Sequence, residues 1–146
     1  MGKKNDFPVG KILKYVQDLT NVMKETPSIK GFSHQSGAFS PHPDGTHPLI
    51  SRILSKVLGE WIMGDGLLLQ ENKSIQNYLY GIQETTNFHI VVPRPGQIET
   101  GEGRAKLVAK SSPYSGVVTF RDLALFTLEA VKDASLQGVY PYPNPE

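Results

Sequence analysis

The chain has 146 residues, 38% of them hydrophobic and 20% charged, which suits one globular domain and excludes a disordered or fibrous protein. Fifteen Lys and Arg against 14 Asp and Glu leave a net charge of +1, which does not support a nucleic-acid or anionic-membrane surface. The absence of Cys excludes disulfides, thiolate metal ligands and Cys nucleophiles. No apolar run approaches the roughly 20 residues of a membrane span, and we expect a cytoplasmic protein.

The first part of the chain predicts a helix, a strand and a second helix. Apolar residues recur every three or four positions over residues 9–23, which indicates a helix with one buried face. A short strand over residues 29–36 follows and ends near Ser36. The Pro- and Gly-rich stretch 40–48 predicts a surface loop, and helical spacing returns over residues 49–58.

The middle of the chain predicts a helix followed by a buried strand. Residues 61–66 form a linker, and the pattern over residues 67–82 is that of another helix. The run FHIVV at residues 88–92 lacks strict alternation, which is typical of a parallel strand buried on both faces. Residues 104–110 are more polar and predict either an exposed extension or an edge strand.

The last part of the chain predicts one more helix and strand. Thr119-Phe-Arg-Asp122 approximates a capping box and opens the helix, and residues 138–142 predict a final short strand. The helical connections are long enough to cross over between parallel strands. We therefore predict an α/β fold in which parallel strands are flanked by helices.

Four segments together form a recognisable pattern: HQSGAFSP at residues 34–41, VVPRPGQI at 91–98, TFRDLALFTLEAV at 119–131 and DASLQGVYPY at 133–142. In this order and spacing they resemble the NAD(P)-binding proteins of the NmrA-like, atypical short-chain dehydrogenase/reductase group. The resemblance spans about residues 9–142, and each motif by itself is weak. It implies a Rossmann-like three-layer fold and NADP or NAD as the cofactor.

The resemblance also implies a site. Ser36 would polarise a substrate carbonyl, and the Pro-Gly turn after the next strand would present backbone groups to the nicotinamide. Lys73 would hold the nicotinamide ribose, but Leu69 stands where the family has the proton-donating Tyr of Tyr-x-x-x-Lys, which puts catalysis in doubt. The implied catalytic residues are Ser36 and Lys73. The implied cofactor-binding residues are Ser36, Lys73, Pro95, Gly96, Gln97 and Ile98.

One part of such a domain is absent from the sequence. Dinucleotide binding requires a Gly-rich turn between a strand and a helix, and neither G-x-G-x-x-G nor G-x-x-G-x-x-G occurs in these 146 residues. We therefore expect residues 1–146 to be the C-terminal portion of one NAD(P)-binding domain, with three neighbouring strands and an open sheet edge. Either the chain is a fragment, or it is a genuine short form that pairs this edge with another chain and forms an oligomer.

Two functions follow from the sequence. The first is an NAD(P)-dependent oxidoreductase that, as an intact domain, transfers hydride to a small organic acceptor and is inactive in this truncated form. The second is a non-catalytic module that senses a dinucleotide or binds a protein partner. In either case we expect a small-molecule ligand or a protein partner, and no nucleic acid or membrane.

Four histidines and one arginine are further candidate site residues. His34 is the histidine expected nearest a substrate pocket, whereas His42, His47 and His89 lack the spacing of a metal site. Arg94 lies between two prolines at a strand end. It either contacts a cofactor phosphate or a substrate carboxylate, or it pairs locally.

Overall fold

The computed structural model describes residues 10–38, 40, 42–43 and 67–146, with side chains from residue 70 onwards in the last range. The predicted helix over 49–58, most of the predicted loop over 40–48 and the predicted linker over 61–66 lie outside the described residues. Three described helices confirm predictions: α1 (Lys11–Lys24), α2 (Leu67–Ile82) and α3 (Phe120–Ala130). In addition, single 3-10 turns follow α2 at Gln83–Thr85 and α3 at Ala134–Leu136.

A buried carboxylate determines where α1 begins. Gly10 precedes the helix with φ of 86°, a left-handed conformation that glycine adopts without a steric penalty. Glu71, which is 2% exposed on α2, accepts hydrogen bonds from the backbone N–H groups of Gly10 and, at 2.9 Å, of Leu13. The first N–H groups of a helix lack partners within the helix, so Glu71 caps α1 from a distant part of the chain.

Two parallel strands lie at the centre of the fold. β1 (Gly31–Ser33) pairs with β2 (His89–Val91), so that Phe32 stands opposite Ile90. The pairing continues past both strands, because the N–H groups of Ser36 and Ala38 donate to the carbonyls of Pro93 and Pro95 at 2.9 Å. The predicted strands over 29–36 and 88–92 are therefore confirmed at their cores, as is their parallel arrangement.

The other edge of β2 is occupied by the chain near its end. Gly138 N–H donates to Ile90 O, and Val92 and Arg94 donate to the carbonyls of Val139 and Pro141. Three hydrogen bonds thus hold residues 138–141 beside β2. This agrees with the prediction that three strands are neighbours. The regular strand itself, β6 (Tyr142–Pro145), begins where the predicted strand over 138–142 ends, so the predicted bounds are wrong.

Two further strand pairs surround this centre. β3 (Gln97–Glu99) pairs in parallel with β5 (Val117–Thr119), and the sequence predicted neither strand. β4 (Leu107–Lys110) pairs antiparallel with β6, which confirms a strand within the predicted segment 104–110. Glu146 N–H donates to Lys106 O at 3.0 Å, so every second residue of β6 back from 146 has its N–H directed at β4. Pro143 and Pro145 therefore lie at the positions of β6 where no N–H is needed to bond to β4.

The hydrophobic core has two parts, one on each face of β2. Ile90 and Val92 lie in a cluster with α1, α2 and Phe32, whereas Val91 lies in a cluster with α3. Both faces of this strand are thus buried, as its lack of alternation predicted. Helices on both sides of parallel strands form the mixed α/β arrangement that the sequence predicted. Within the described residues, no helix is long and apolar enough to cross a membrane.

Candidate active site at the carboxyl ends of β1 and β2

Ser36 lies just beyond the carboxyl end of β1, with its residue 6% exposed. Its N–H is fixed by Pro93 O, and its Oγ accepts a hydrogen bond of 2.7 Å from Nε2 of Gln76 on α2. In α/β sheets, ligands bind in the crevice outside the carboxyl ends of parallel strands. The fold therefore places the predicted Ser36 where a ligand site is expected.

One face of α2 contacts the segment after β1 at three successive helical turns. Asn72 forms a side-chain hydrogen bond with His34, Gln76 donates to Ser36, and the Tyr80 ring lies edge-on to His42 with 6.3 Å between centroids. Residues 72, 76 and 80 share a face because they are four positions apart. This face of α2 therefore presents Asn72 and Gln76, and not Lys73, to the segment after β1.

His34 is kept in its neutral form by its surroundings. Burial lowers the pKa of His34 below its ordinary value, and the hydrogen bond with Asn72 opposes this effect only in part. Nε2 of His34 is buried and has no hydrogen-bond partner among the described residues. His34 thus lies on the same segment as Ser36, and burial favours its uncharged form.

Arg94 makes local contacts below the site. It is 6% exposed, its Nε donates to Tyr140 O at 2.9 Å, and its guanidinium lies 4.1 Å from the centroid of the Tyr142 ring. The Tyr140 hydroxyl in turn donates to the backbone oxygen of Gln76 at 3.3 Å. Arg94 therefore ties the end of β2 to the segment before β6, which favours the local interpretation of this residue over contact with a phosphate.

The remaining predicted site residues are only partly brought together. Pro95 is buried, and its carbonyl accepts from Ala38 N–H at 2.9 Å, so this turn lies beside the Ser36 segment. Gly96 precedes β3, and Gln97 and Ile98 are strand residues of β3, so the predicted turn ends earlier than expected. Lys73 is exposed on α2, and the residue of α2 bonded to Ser36 is Gln76. The side chain of Leu69 lies outside the described residues.

Sequence reasoning missed Gln76. It is fully buried on α2, yet its type gives no chemical signal of its own. The available signal was positional: Asn72 shares the apolar face of the predicted helix with Ile75 and Leu79, and Gln76 follows Asn72 by four residues. Two polar residues four positions apart on an apolar helix face predict that each bonds to a buried polar group of a neighbouring segment.

A groove of about 480 Å³ lies elsewhere, between α3 and residues 103–107. Its basic side chains already have acidic partners: Arg104 pairs with Glu99 at 2.8 Å, and Arg121 pairs with Glu102 at 2.6 Å. Asp122 in its wall is bonded to backbone N–H groups. The polar groups of this groove are therefore paired with one another and are not directed at a ligand.

The chain was compared with known proteins. No protein-family model matches it, and no curated protein is significantly similar to it in sequence. Solved structures do match. The oxidoreductase ylbE from Lactococcus lactis superposes with a TM-score of 0.57 at 17% identity, over 90% of this chain and 52% of that one.

Two other solved structures give the same result. A protein named as an NAD-dependent epimerase/dehydratase from Bacillus halodurans has a TM-score of 0.56 at 18% identity, over 92% of this chain and 52% of that one. A short-chain dehydrogenase/reductase from Veillonella parvula has a TM-score of 0.60 at 11% identity, over 90% and 57%.

The chain has about half of the Rossmann-like α/β fold of these solved structures.

At these identities the likeness establishes the fold, and this confirms the α/β, Rossmann-like prediction in its coarse form. The chain spans little more than half the length of the structures it matches. In a Rossmann-like domain the Gly-rich turn belongs to the first βαβ unit, and this sequence contains no such turn.

Proposed function

We propose that the chain is the C-terminal, nicotinamide- and substrate-side part of an NAD(P)-dependent oxidoreductase of the atypical, NmrA-like short-chain dehydrogenase group. The intact domain transfers hydride to a small organic acceptor in the cytoplasm. The observation that carries the proposal is the position of Ser36 at the carboxyl end of β1, facing α2 and beside the Pro95 turn. The matched structures, of which this chain spans 52–57%, support it as well.

The residues of this chain fit one half of the cofactor. The Ser36 hydroxyl and the backbone around Pro95 and Gly96 form a neutral, hydrogen-bonding surface suited to the nicotinamide and the acceptor. When bound, the cofactor would supply the hydride, and the Ser36 hydroxyl would hold the acceptor in place. The pyrophosphate requires a Gly-rich turn that is not in this sequence.

A non-catalytic module that senses a dinucleotide or binds a protein is the second candidate. The exposed position of Lys73 and the Leu at position 69 favour it, because neither residue then assists proton transfer to a substrate.

Cofactor binding tests the proposal in two steps. We expect the 146-residue chain to show no measurable NAD(P)H binding in a fluorescence titration, because its sequence contains no Gly-rich turn to hold the pyrophosphate. A longer reading frame that contains a Gly-rich strand and helix before residue 1 should bind NADH or NADPH and oxidise it with a carbonyl acceptor. Micromolar binding by the 146 residues alone would contradict the half-site proposal, and binding without oxidation by the longer protein would favour the second candidate.

A further inference from the structure

Gln76 and Ser36 form a polar pair at the proposed substrate end of the domain. Gln76 is fully buried, and its Nε2 donates to Ser36 Oγ at 2.7 Å. A serine hydroxyl carries one donor and two acceptor sites, so the hydrogen of Ser36 is left to donate elsewhere. The residue retains 6% exposure and lies beyond the carboxyl end of β1, the position at which ligands bind in parallel α/β sheets.

The amide oxygen of Gln76 is the second half of the pair. Gln76 Oε1 is buried and has no hydrogen-bond partner among the described residues. A buried acceptor without a partner is unfavourable, and in native proteins such groups are commonly explained by a ligand or an ordered water. The pair therefore presents one unused donor and one unused acceptor next to each other.

The surroundings select for a neutral partner. Neither Ser nor Gln ionises in the physiological range, and burial keeps the nearby His34 uncharged. The backbone of Gln76 is held in turn by the Tyr140 hydroxyl, which fixes the turn of α2 that carries the amide. A donor and an acceptor fixed in this way are complementary to a group that carries a carbonyl oxygen beside an N–H.

We propose that Gln76 is a specificity-determining residue and that, with Ser36, it selects ligands bearing an amide or lactam group. Ser36 O–H donates to the carbonyl oxygen, and Gln76 Oε1 accepts from the adjacent N–H. The inference rests on the proposed function, because it takes the Ser36 crevice to be the substrate end. It narrows the small organic acceptor to one that is recognised through an amide-like group.

A pair of fragments that differ in one hydrogen-bond donor tests this inference. The probes are 2-pyrrolidinone and N-methyl-2-pyrrolidinone, titrated into the 146-residue chain while NMR follows the Gln76 side-chain NH₂ and the Ser36 amide signals. We expect 2-pyrrolidinone to shift both signals and to bind about tenfold more tightly, because the N-methyl compound leaves Gln76 Oε1 unpaired. Equal binding of the two probes, or no shift at Gln76 and Ser36 at saturating 2-pyrrolidinone, would overturn the proposal.

Variants assign the selectivity to Gln76. Gln76→Met keeps the length of the side chain and removes its polar atoms, so the preference for 2-pyrrolidinone should fall to within about twofold. Asn77→Met makes a similar change at the neighbouring, exposed position and should keep the full preference. The comparison of the two probes on the unmodified chain decides the question even if Gln76→Met does not fold.

Failure of this inference is distinguishable from failure of the proposed function. The fragment titration needs no cofactor, whereas the function is tested by NAD(P)H oxidation in the longer protein. Lactam selectivity without oxidation removes the oxidoreductase assignment only. Oxidation of NAD(P)H by a protein with no lactam selectivity removes only the role of Gln76.

Discussion

Asp122 shows how one carboxylate connects α3 to the loop before β4. It is 7% exposed and accepts hydrogen bonds from the N–H groups of Arg104 at 2.9 Å and Ala105 at 3.3 Å. Its own N–H donates to Thr119 Oγ1 at 3.1 Å, which confirms the cap predicted from the sequence. The reciprocal bond of a capping box is not made, because the carboxylate turns to residues 104 and 105 instead.

These contacts make the stability of the fold depend on pH. The backbone N–H of Arg104 is the largest cause that holds the pKa of Asp122 below its ordinary value of 3.8. A carboxyl with a lowered folded pKa stabilises the protein above its unfolded pKa, and that contribution is lost as the pH falls through the folded pKa.

We therefore expect Asp122→Asn to lower the melting temperature at pH 7, with the difference from the unmodified chain shrinking below about pH 4. Calorimetry at several pH values measures this. Asp18→Asn is the control, because Asp18 is an exposed carboxylate in an i,i+4 pair with Lys14 and should change the melting temperature little. A difference between the Asp122 variant and the unmodified chain that stays constant down to pH 2 would contradict the assignment.

The sequence can locate a site residue when that residue follows a secondary-structure element that is itself predictable. Ser36 follows a strand, and a strand end can be predicted from apolar residues and Gly punctuation. The family pattern indicates Lys73, whereas the spacing of Ile75 and Leu79 places Gln76 on the apolar face of the helix. The structure buries Gln76 and exposes Lys73, as that spacing indicates and the family pattern does not.

Among the helices and strands, the long elements could be predicted from the sequence and the shortest ones could not. α1 and α2 carry several turns of apolar periodicity and match their predicted bounds to within two residues. β3 and β5 have three residues each, too few for alternation to be recognised. β5 also runs directly into α3, so its Val117 and Val118 could not be separated from the start of the helix.

The contact between α1 and α2 depends on Glu71 in a way that can be measured. Glu71→Leu leaves the N–H groups of Gly10 and Leu13 without their acceptor inside the fold, so we expect a loss of about 1–3 kcal/mol in the free energy of unfolding. Urea denaturation followed by circular dichroism measures it. Glu84→Leu changes an exposed glutamate and should cost less than about 0.5 kcal/mol. Equal effects of the two substitutions would mean that Glu71 does not cap α1.

At the scale of the whole molecule, β1 is an edge strand among the described residues. Lys30 O and the N–H groups of His34 and Ser36 face β2, so by alternation the backbone groups of Gly31 and Ser33 face away from it. A second unpaired surface lies on α1, where Tyr15, Leu19 and Val22 share a face and are 51–60% exposed. Each surface offers a route to association: a strand edge pairs through its backbone, and an apolar face through its side chains.

Two substitutions separate these routes. We expect the 146-residue chain to associate reversibly through the β1 edge, with its apparent mass in sedimentation rising over the micromolar range. Ser33→Pro removes an N–H that β2 does not use and should hold the chain as a monomer, whereas Ser33→Ala keeps the N–H and should associate as before. Leu19→Glu tests the other surface by placing a charge in the middle of the α1 face. If Leu19→Glu dissociates the assembly and Ser33→Pro does not, the α1 face is the interface and the β1 edge is not.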